Sequence, residues 1–435
     1  MSLPLIAVVG RPNVGKSTFV NRIMQGHDAI VHASSGVTRD RSYHKADWNG
    51  IEFMLIDTGG IEFSADDAFG PSIRAQAVMA AEQADIVIFL VDGKTGIAPG
   101  DEDVAKLLKR SKATVFLVVN KADTPGNDSA IHEFWTLGLG QPWSVSALHG
   151  HGTGDLLDEI VSALPESEPE EETDAINVAI IGRPNAGKSS LFNRLLGAER
   201  SIVSEVAGTT RDALDTMLEH EGVSYRLVDT AGLRRKSQID ESIEYYSFVR
   251  AMRAIDRADV AVLVVDSPLG ITDQDQRVAR FAHERGCAMV VVLNKWDIVP
   301  GPEGKIEVTA TVPEKLGFVG FAPVLRISAL TGTATHKILP AVKQAYDAYT
   351  RTITTSSLNK FLTDIRATGH SISRAGKMLR LNYMTQTGIK PPVFTFFANH
   401  PHFVDDQFER YLENRMRENF DLIGTPIRLR FRKKA

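Results

Sequence analysis

The chain has 435 residues, room for about three domains at roughly 100–200 residues each. Its 43% hydrophobic and 24% charged residues are those of a soluble globular protein, and a net charge of −5 excludes bulk attraction to nucleic acid. One cysteine, Cys287, in a run that reads as a buried strand, excludes an internal disulfide framework; it fits a reducing cytosol and predicts no disulfide-linked partner. Apolar runs such as DIVIFLVD and DVAVLVVD fall well short of the ~20 residues a spanning helix needs, so no membrane span and a cytoplasmic location are expected.

In chain order, MSLPLIAVVG reads as a first strand, not as a signal peptide. It runs into GRPNVGKST, where Gly10, Arg11, Pro12, Asn13, Val14, Gly15, Lys16, Ser17 and Thr18 form a phosphate loop before a helix. Gly10 and Gly15 let backbone N–H groups wrap phosphates, Lys16 reaches the outer phosphates, and the Ser17 hydroxyl suits Mg²⁺. Thr38, in GVTRD, is placed to close over a γ-phosphate and Mg²⁺. Next comes Asp57-Thr58-Gly59-Gly60: Asp57 is expected to end a strand and hold Mg²⁺ through water, and Gly60 to offer its N–H to the γ-phosphate. Ile61 follows, where signalling GTPases place a water-orienting Gln. Asn120-Lys121-Ala122-Asp123 selects the base. The Asp123 carboxylate can accept the paired N1–H and amine donors of guanine, an edge adenine lacks, while Asn120 braces the loop. In the segment Ser146-Ala147-Leu148, the Ala147 N–H is expected on guanine O6.

Residues 165–174, PESEPEEETD, carry six acids and two prolines and predict an extended linker. Beyond it every motif recurs. Gly182, Arg183, Pro184, Asn185, Ala186, Gly187, Lys188, Ser189 and Ser190 repeat the phosphate loop, and Thr210 repeats Thr38. Asp229, Thr230, Ala231, Gly232 and Leu233 repeat the Asp-x-x-Gly region, with Asp229 likewise expected to end a strand; Asn294, Lys295, Trp296 and Asp297 repeat the base motif; Ser328 and Ala329 repeat the last segment. The offset is 172 residues from Lys16 to Lys188 and from Asp57 to Asp229, 174 from Asn120 to Asn294, and 182 from Ser146 to Ser328. A whole domain has been duplicated, with insertions in loops. Short apolar strands alternating with helical stretches predict an α/β fold: two P-loop domains, each a mainly parallel sheet flanked by helices.

From about residue 351 the pattern changes to α-β-β-α-β. LNKFLTDIRA reads as a helix, and KMLRLNY as a strand with Leu379, Leu381 and Tyr383 on one face. PPVFTFFAN is a second strand, and a helix follows with Phe408, Tyr411, Leu412, Met416 and Phe420 on one stripe. The last strand sets Ile427, Leu429 and Phe431 opposite Arg428, Arg430 and Arg432. Fifteen Lys/Arg against seven Asp/Glu over 351–435 give a local excess of eight positive charges, a footprint suited to RNA or to a solvated strand face. Glycines 369, 376, 388 and 424 are never three apart, so the Gly-x-x-Gly clamp of RNA-gripping KH domains is absent.

The paired GRPN-x-GKS loops, GVTRD/GTTRD, DTGG/DTAG and NK-x-D, followed by a short C-terminal domain, resemble the Der (EngA) family of bacterial double-GTPase ribosome-assembly factors. One departure is HASSGVTRD, where the family usually has an Asp-Thr-Pro-like run. The duplication, the acidic linker at 165–174 and the change of pattern near 351 predict domains at 1–164, 175–350 and 351–435, the last an α+β domain whose element order fits the KH-like domain the family would have. The resemblance implies GTP/GDP and Mg²⁺ as ligands, with Ser17, Thr38, Asp57, Ser189, Thr210 and Asp229 around the metal. It further implies a hydrophobic residue in the Gln slot, and K⁺ stimulation with Asn13 and Asn185 helping to hold that ion. Lys16, Thr38, Gly60, Lys188, Thr210 and Gly232 would then act on the γ-phosphate, and the partner would be the 50S ribosomal subunit or its precursor. Two other readings stand beside it. One is a K⁺-dependent GTPase coupled to RNA modification, a group usually having one G domain and a C-terminal cysteine where this sequence reads FRKKA. The other is a GTP-regulated scaffold with one site that does not hydrolyse.

Overall fold

The structure, a computed structural model, describes residues 3–25, 43–58, 77–78, 80–81, 84–111, 113–123, 131–164, 174–198, 215–230, 244–367, 373–374 and 377–433. The chain divides into two compact units, Met1–Glu170 and Glu171–Ala435.

The first unit is built on a six-stranded sheet. Its strands are β1 (Leu5–Val9), β2 (Tyr43–Trp48), β3 (Ile51–Asp57), β4 (Ile86–Asp92), β5 (Thr114–Asn120) and β6 (Trp143–Ser144), in the order β2-β3-β1-β4-β5-β6. All neighbours are parallel except β2 and β3. That hairpin turns at Asn49-Gly50, both left-handed (φ 52° and 79°), the pair a two-residue type I′ turn requires. Every residue of β1 and β4 is buried, because a parallel sheet has both faces covered and its central strands are apolar throughout. Helices α1 (Lys16–Gln25), α2 (Pro99–Leu108) and α3 (Thr153–Ser162) follow strands. One core packs Phe19, Val20 and Ile23 of α1 and Leu156, Leu157 and Ile160 of α3 against Ile6, Val8, Ile88 and Val118 of the sheet.

The second unit repeats the plan with β7 (Ile176–Ile181), β8 (Thr216–His220), β9 (Val223–Leu227), β10 (Val260–Asp266), β11 (Ala288–Asn294) and β12 (Val324–Arg326). Read from β8, the order β8-β9-β7-β10-β11-β12 is that of the first sheet. Its helices are α4 (Lys188–Ala198), α5 (Glu244–Arg257), α6 (Asp273–Arg285), α7 (Gly301–Lys315) and α8 (Ile338–Tyr349). One difference matters for the site. β3 runs through Asp57, whereas β9 stops at Leu227, two residues before Asp229; the expectation that Asp229 ends a strand is corrected. Asp229 is left-handed (φ 53°), and its N–H donates to Asp215 Oδ1 at 3.0 Å instead of continuing a ladder.

The same unit carries the C-terminal α+β domain: α9 (Thr355–Ala367), β13 (Ser373–Arg374), β14 (Lys377–Met378), β15 (Leu381–Gly388), β16 (Val393–Ala398), α10 (Asp406–Phe420) and β17 (Arg428–Lys433). The main sheet is β15-β16-β17, with β15 antiparallel and β17 parallel to β16. One face carries Leu381, Met384, Phe394, Phe396 and Ala398 into a core with Leu358, Leu362, Leu412 and Met416 of the two helices. Tyr383 does not share the face of Leu381 as its alternation predicts. The pairs Leu381↔Ala398 and Tyr383↔Phe397 set two steps of β15 against one of β16, a bulge that turns Tyr383 outward. Tyr383 is 42% exposed while Leu379 and Leu381 are buried.

This domain is seated on the second P-loop domain. β12 pairs with β11 only from Val291 onward, and the free Met289 N–H at the start of β11 donates to Gly424 O at 2.7 Å. Gly424 N–H in turn donates to Phe321 O at 2.8 Å. Gly424 has φ 79°, and a Cβ there would press on Ala345. Around this joint Lys390 pairs with Asp259 at 3.0 Å, Arg417 lies over the Phe321 ring, and His283 packs between Phe318 and Phe321. No helix among the described residues is long and apolar enough to cross a membrane.

Candidate functional site

Among the described residues, the repeated phosphate-loop and base motifs lie at the carboxyl ends of strands, the usual ligand edge of such sheets. In the first unit the loop after β1 wraps back on itself and opens α1. Gly10 has no room for a Cβ, which would strike the Leu90 carbonyl, and one at Gly15 would strike the Asn120 carboxamide. Asn13 adopts φ 66° and Asn185 φ 60°, a left-handed conformation that asparagine tolerates better than most residues. This backbone demand is by itself a reason for asparagine at both places.

Lys16 is buried, and its ammonium donates to Gly10 O at 2.7 Å and Arg11 O at 2.9 Å. Burial lowers its pKa, and nearby Asp57 partly opposes that. Lys188 donates to Arg183 O at 2.7 Å. The Ser17 hydroxyl donates to the buried Asp57 carboxylate at 2.6 Å, bringing together the two oxygen ligands expected for Mg²⁺. The second unit differs here. Burial pushes the Asp229 carboxyl up to about 6, with Arg250, Arg253 and Arg257 opposing and Asp215 reinforcing the rise. Asp215 itself is gripped by both terminal nitrogens of Arg257.

The base motif is a buried brace in both units. Asn120 Nδ2 donates to Val14 O at 2.8 Å, and its Oδ1 accepts the Ala147 N–H at 2.9 Å. Asn294 makes the same two bonds, to Ala186 O at 2.8 Å and from the Ala329 N–H at 2.9 Å. One carboxamide thus ties phosphate loop to base loop. The Ala147 and Ala329 N–H groups, expected on guanine O6, are engaged by these asparagines. Lys121 donates to Asn13 O at 2.8 Å and pairs with Asp92 at 2.6 Å; Lys295 pairs with Asp266 at 2.7 Å. Burial would raise the Asp92 pKa, but Lys121 and the Lys94 N–H outweigh it and hold the carboxyl below its ordinary range. Asp123 accepts from the Ser146 hydroxyl at 2.8 Å and pairs with Lys94 at 2.6 Å; Lys94 above all, then Ser146, holds its pKa down. Asp297 is exposed at a one-turn 3-10 helix, Trp296–Ile298.

Thr38, Gly59, Gly60, Ile61, Thr210, Ala231, Gly232 and Leu233 lie outside the described residues, as do linker residues 165–173. Two further groups bear on the candidate sites. Arg22 Nε donates to Ala147 O at 3.0 Å and Arg194 Nε to Ala329 O at 3.2 Å, so each first helix clamps its base loop. Arg11 and Arg183 reach back to the N-terminal acids of the next crossover helices, Asp101 at 2.8 Å and Asp275 at 3.9 Å. The signal for Arg22 and Arg194 was present in the repeated Asn-Arg pair, 172 residues apart.

Residues 5–121 and 177–295 match the family described as 50S ribosome-binding GTPase, and residues 352–432 match the KH-domain-like region of EngA bacterial GTPase enzymes. GTPase Der of Moorella thermoacetica is 48% identical over 434 residues, covering 100% of this chain and 99% of that protein. The chain belongs to the Der family of GTPases. GTPase Der of a Synechococcus species is likewise 48% identical, over 441 residues (100% and 96% covered), and that of Heliobacterium modesticaldum 46% over 437 residues (100% and 99%). Among solved structures, an Aquifex aeolicus Era variant bound to GDP·AlF4⁻ is 21% identical with a TM-score of 0.32, covering 75% of this chain and 93% of that one. Der-family membership makes both P-loop domains GTPase domains and the C-terminal domain KH-like.

Proposed function

We propose that both P-loop domains bind GTP and GDP with Mg²⁺ and hydrolyse GTP, and that the nucleotide state governs association with the large ribosomal subunit or its precursor in the cytoplasm, in support of its maturation. The observation that carries the two-site reading is the double brace, Asn120 and Asn294, each holding a phosphate loop against a base loop with near-identical distances.

Lys16 and Lys188 would release their loop carbonyls to reach the β- and γ-phosphates, and Asp123 and Asp297 would read the guanine edge. The Ala147 and Ala329 N–H groups would share their asparagine partners with O6. Ser17 with Asp57, and Ser189 with Asp229, would hold Mg²⁺, which neutralises charge on the phosphates. Thr38 and Thr210, with the N–H groups of Gly60 and Gly232, would sense the γ-phosphate. Ile61 and Leu233 cannot orient water, so K⁺ near Asn13 and Asn185 is proposed to supply the missing positive charge. The ribosomal partner is supported by the family description matched in both P-loop domains and by the basic C-terminal domain.

A second reading draws on one observation. Asp57 is in place at a strand end beside Ser17, while Asp229 is turned left-handed onto Asp215. That asymmetry supports a division of labour in which the second site is the slower hydrolase. Co-sedimentation with 50S particles in GDP and in a non-hydrolysable GTP analogue tests the proposal, using Lys16→Ala and Lys188→Ala separately. Binding that follows the nucleotide and is lost in at least one variant is expected; nucleotide-blind binding in all three proteins overturns the switch.

A further inference from the structure

Two residues set the second phosphate site apart from the first, and both act on Asp229. Asp215 stands just before β8, and Arg257 ends α5. Arg257 grips the Asp215 carboxylate with both terminal nitrogens, at 3.1 and 2.5 Å, and the two side chains are only 16% and 11% exposed. A two-point pair of this kind fixes direction as well as distance. The oxygen it fixes, Asp215 Oδ1, accepts the Asp229 N–H at 3.0 Å, with Asp229 left-handed at φ 53°. The next residues along are joined too: the buried Thr216 and Thr230 hydroxyls meet at 2.8 Å. Arg250, Arg253 and Arg257 are spaced along α5, and their charges act on the Asp229 carboxyl.

The duplicated domain supplies its own control. Up to Asp229 the offset between copies is 172, which sets Tyr43 at the place of Asp215. Asp85 and Asp259 each accept an N–H from the strand before the phosphate loop, that of Leu5 at 2.8 Å and that of Asn177 at 3.1 Å. Their offset of 174 sets Gln83 at the place of Arg257. Neither half of the ion pair exists in the first copy. There Tyr43 enters the ladder opposite Ile56, and β3 runs on to Asp57. Asp57 then accepts the Ser17 hydroxyl at 2.6 Å, and the Thr58 hydroxyl donates to Val8 O at 2.7 Å. Among the described residues Ser189 and Asp229 make no such bond. A serine hydroxyl and a carboxylate are hard oxygen donors that suit Mg²⁺ in either copy. The copy with the ion pair is the one in which those two donors are not joined. Asp215 also lies five residues after Thr210, so the contact ties together the two segments expected to sense the γ-phosphate.

We propose that Asp215, fixed by Arg257, is a positioning residue that holds Asp229 back from Ser189, so that the second site takes Mg²⁺ at full strength only when this contact opens. This deepens the reading of the second site as the slower hydrolase, and rests on both domains binding guanine nucleotide with Mg²⁺.

The test is release of a fluorescent GDP from the full chain in a Lys16→Ala background, which reads the second site, across a Mg²⁺ titration. Asp215→Tyr/Arg257→Gln installs the residues of the first copy and removes both charges together. The Mg²⁺ concentration that half-maximally slows release should fall about tenfold, the equivalent of one charge-assisted hydrogen bond released. Second-site kcat for GTP should rise with little change in KM. Asp215→Asn keeps the shape and an acceptor oxygen but loses the ion pair, and should move the same midpoint about threefold in the same direction. Unchanged release in excess chelator shows that the site is intact; if the double variant does not fold, the Asp215→Asn midpoint decides. An unmoved or raised midpoint in a folded variant overturns the proposal. Failure of the underlying reading is distinguishable: Mg²⁺ then alters release at neither site, with Lys188→Ala reporting the first.

Discussion

Lys94 Nζ lies 2.6 Å from Asp123 Oδ2, while the Ser146 hydroxyl holds the other oxygen. Both acceptors that guanine would use in the first site are therefore engaged from within the chain. The second unit has Pro268 at the corresponding place, two residues after Asp266, and so lacks this cation there. The two candidate sites share a plan and differ in what would compete with the base.

Lys94→Met should therefore tighten GDP at the first site. The pair is exposed, so the gain is small, about two- to fivefold. Added salt should narrow the gap, because screening weakens the ion pair only in the unmodified protein. Titration with a fluorescent GDP in a Lys188→Ala background reads the first site alone. Equal or weaker affinity in Lys94→Met would show that Lys94 does not compete.

The asparagine brace gives a stability prediction. Asn294 is buried, and Asn294→Ala leaves the Ala186 carbonyl and Ala329 N–H unpaired. At about 1–3 kcal/mol for each of the two orphaned groups, the second unit should lose about 2–6 kcal/mol in urea unfolding. A loss under about 0.5 kcal/mol would mean that those groups find other partners.

Asn13 and Asn185 separate two roles by substitution. Asn13→Gly and Asn185→Gly keep the left-handed backbone and remove the carboxamide. Hydrolysis in the unmodified protein should rise about tenfold or more when KCl replaces NaCl, and the glycine variants should lose that rise while still binding GDP. A full K⁺ response in both variants would assign the asparagines to backbone geometry alone.

The joint between the second P-loop domain and the KH-like domain should be acid-sensitive. Burial lowers the pKa of His283 below its ordinary 6.5; Glu413 opposes this, and Arg417, Arg428 and Arg280 reinforce it. The folded protein thus binds fewer protons at His283 than the unfolded chain. Its contribution is present above pH 6.5 and is lost as pH falls through 6.5 toward the lowered folded value. Urea midpoints of the second unit should fall between about pH 7.5 and about pH 5.5, and His283→Phe should reduce that fall. An identical fall in His283→Phe would place the sensitivity elsewhere.

The candidate sites were legible in the sequence because the same motifs recur in the same order, 172 to 182 residues apart; Lys16 and Lys188 or Asn120 and Asn294 stand out from the repeat alone. Less was legible where packing breaks a periodic rule. Tyr383 follows a clean two-residue alternation, yet one bulge reverses its face, and a bulge has no signature in KMLRLNY. Asp57 and Asp229 align without a gap, yet Asp215 stands where the first copy has Tyr43, and its carboxylate draws the Asp229 N–H out of the strand ladder. The Gly424 joint depends on a strand, β12, too short to cover Met289, a length set by tertiary pairing.

If two separate sites each read guanine through one aspartate, calorimetric titration of the full chain counts them. The unmodified protein should bind two GDP and no xanthosine diphosphate. Asp123→Asn and Asp297→Asn should each lose one GDP site and gain one xanthosine diphosphate site, in the first and second unit respectively. Two GDP sites persisting in either variant, with no binding of xanthosine diphosphate, would mean that the substituted aspartate does not read the base.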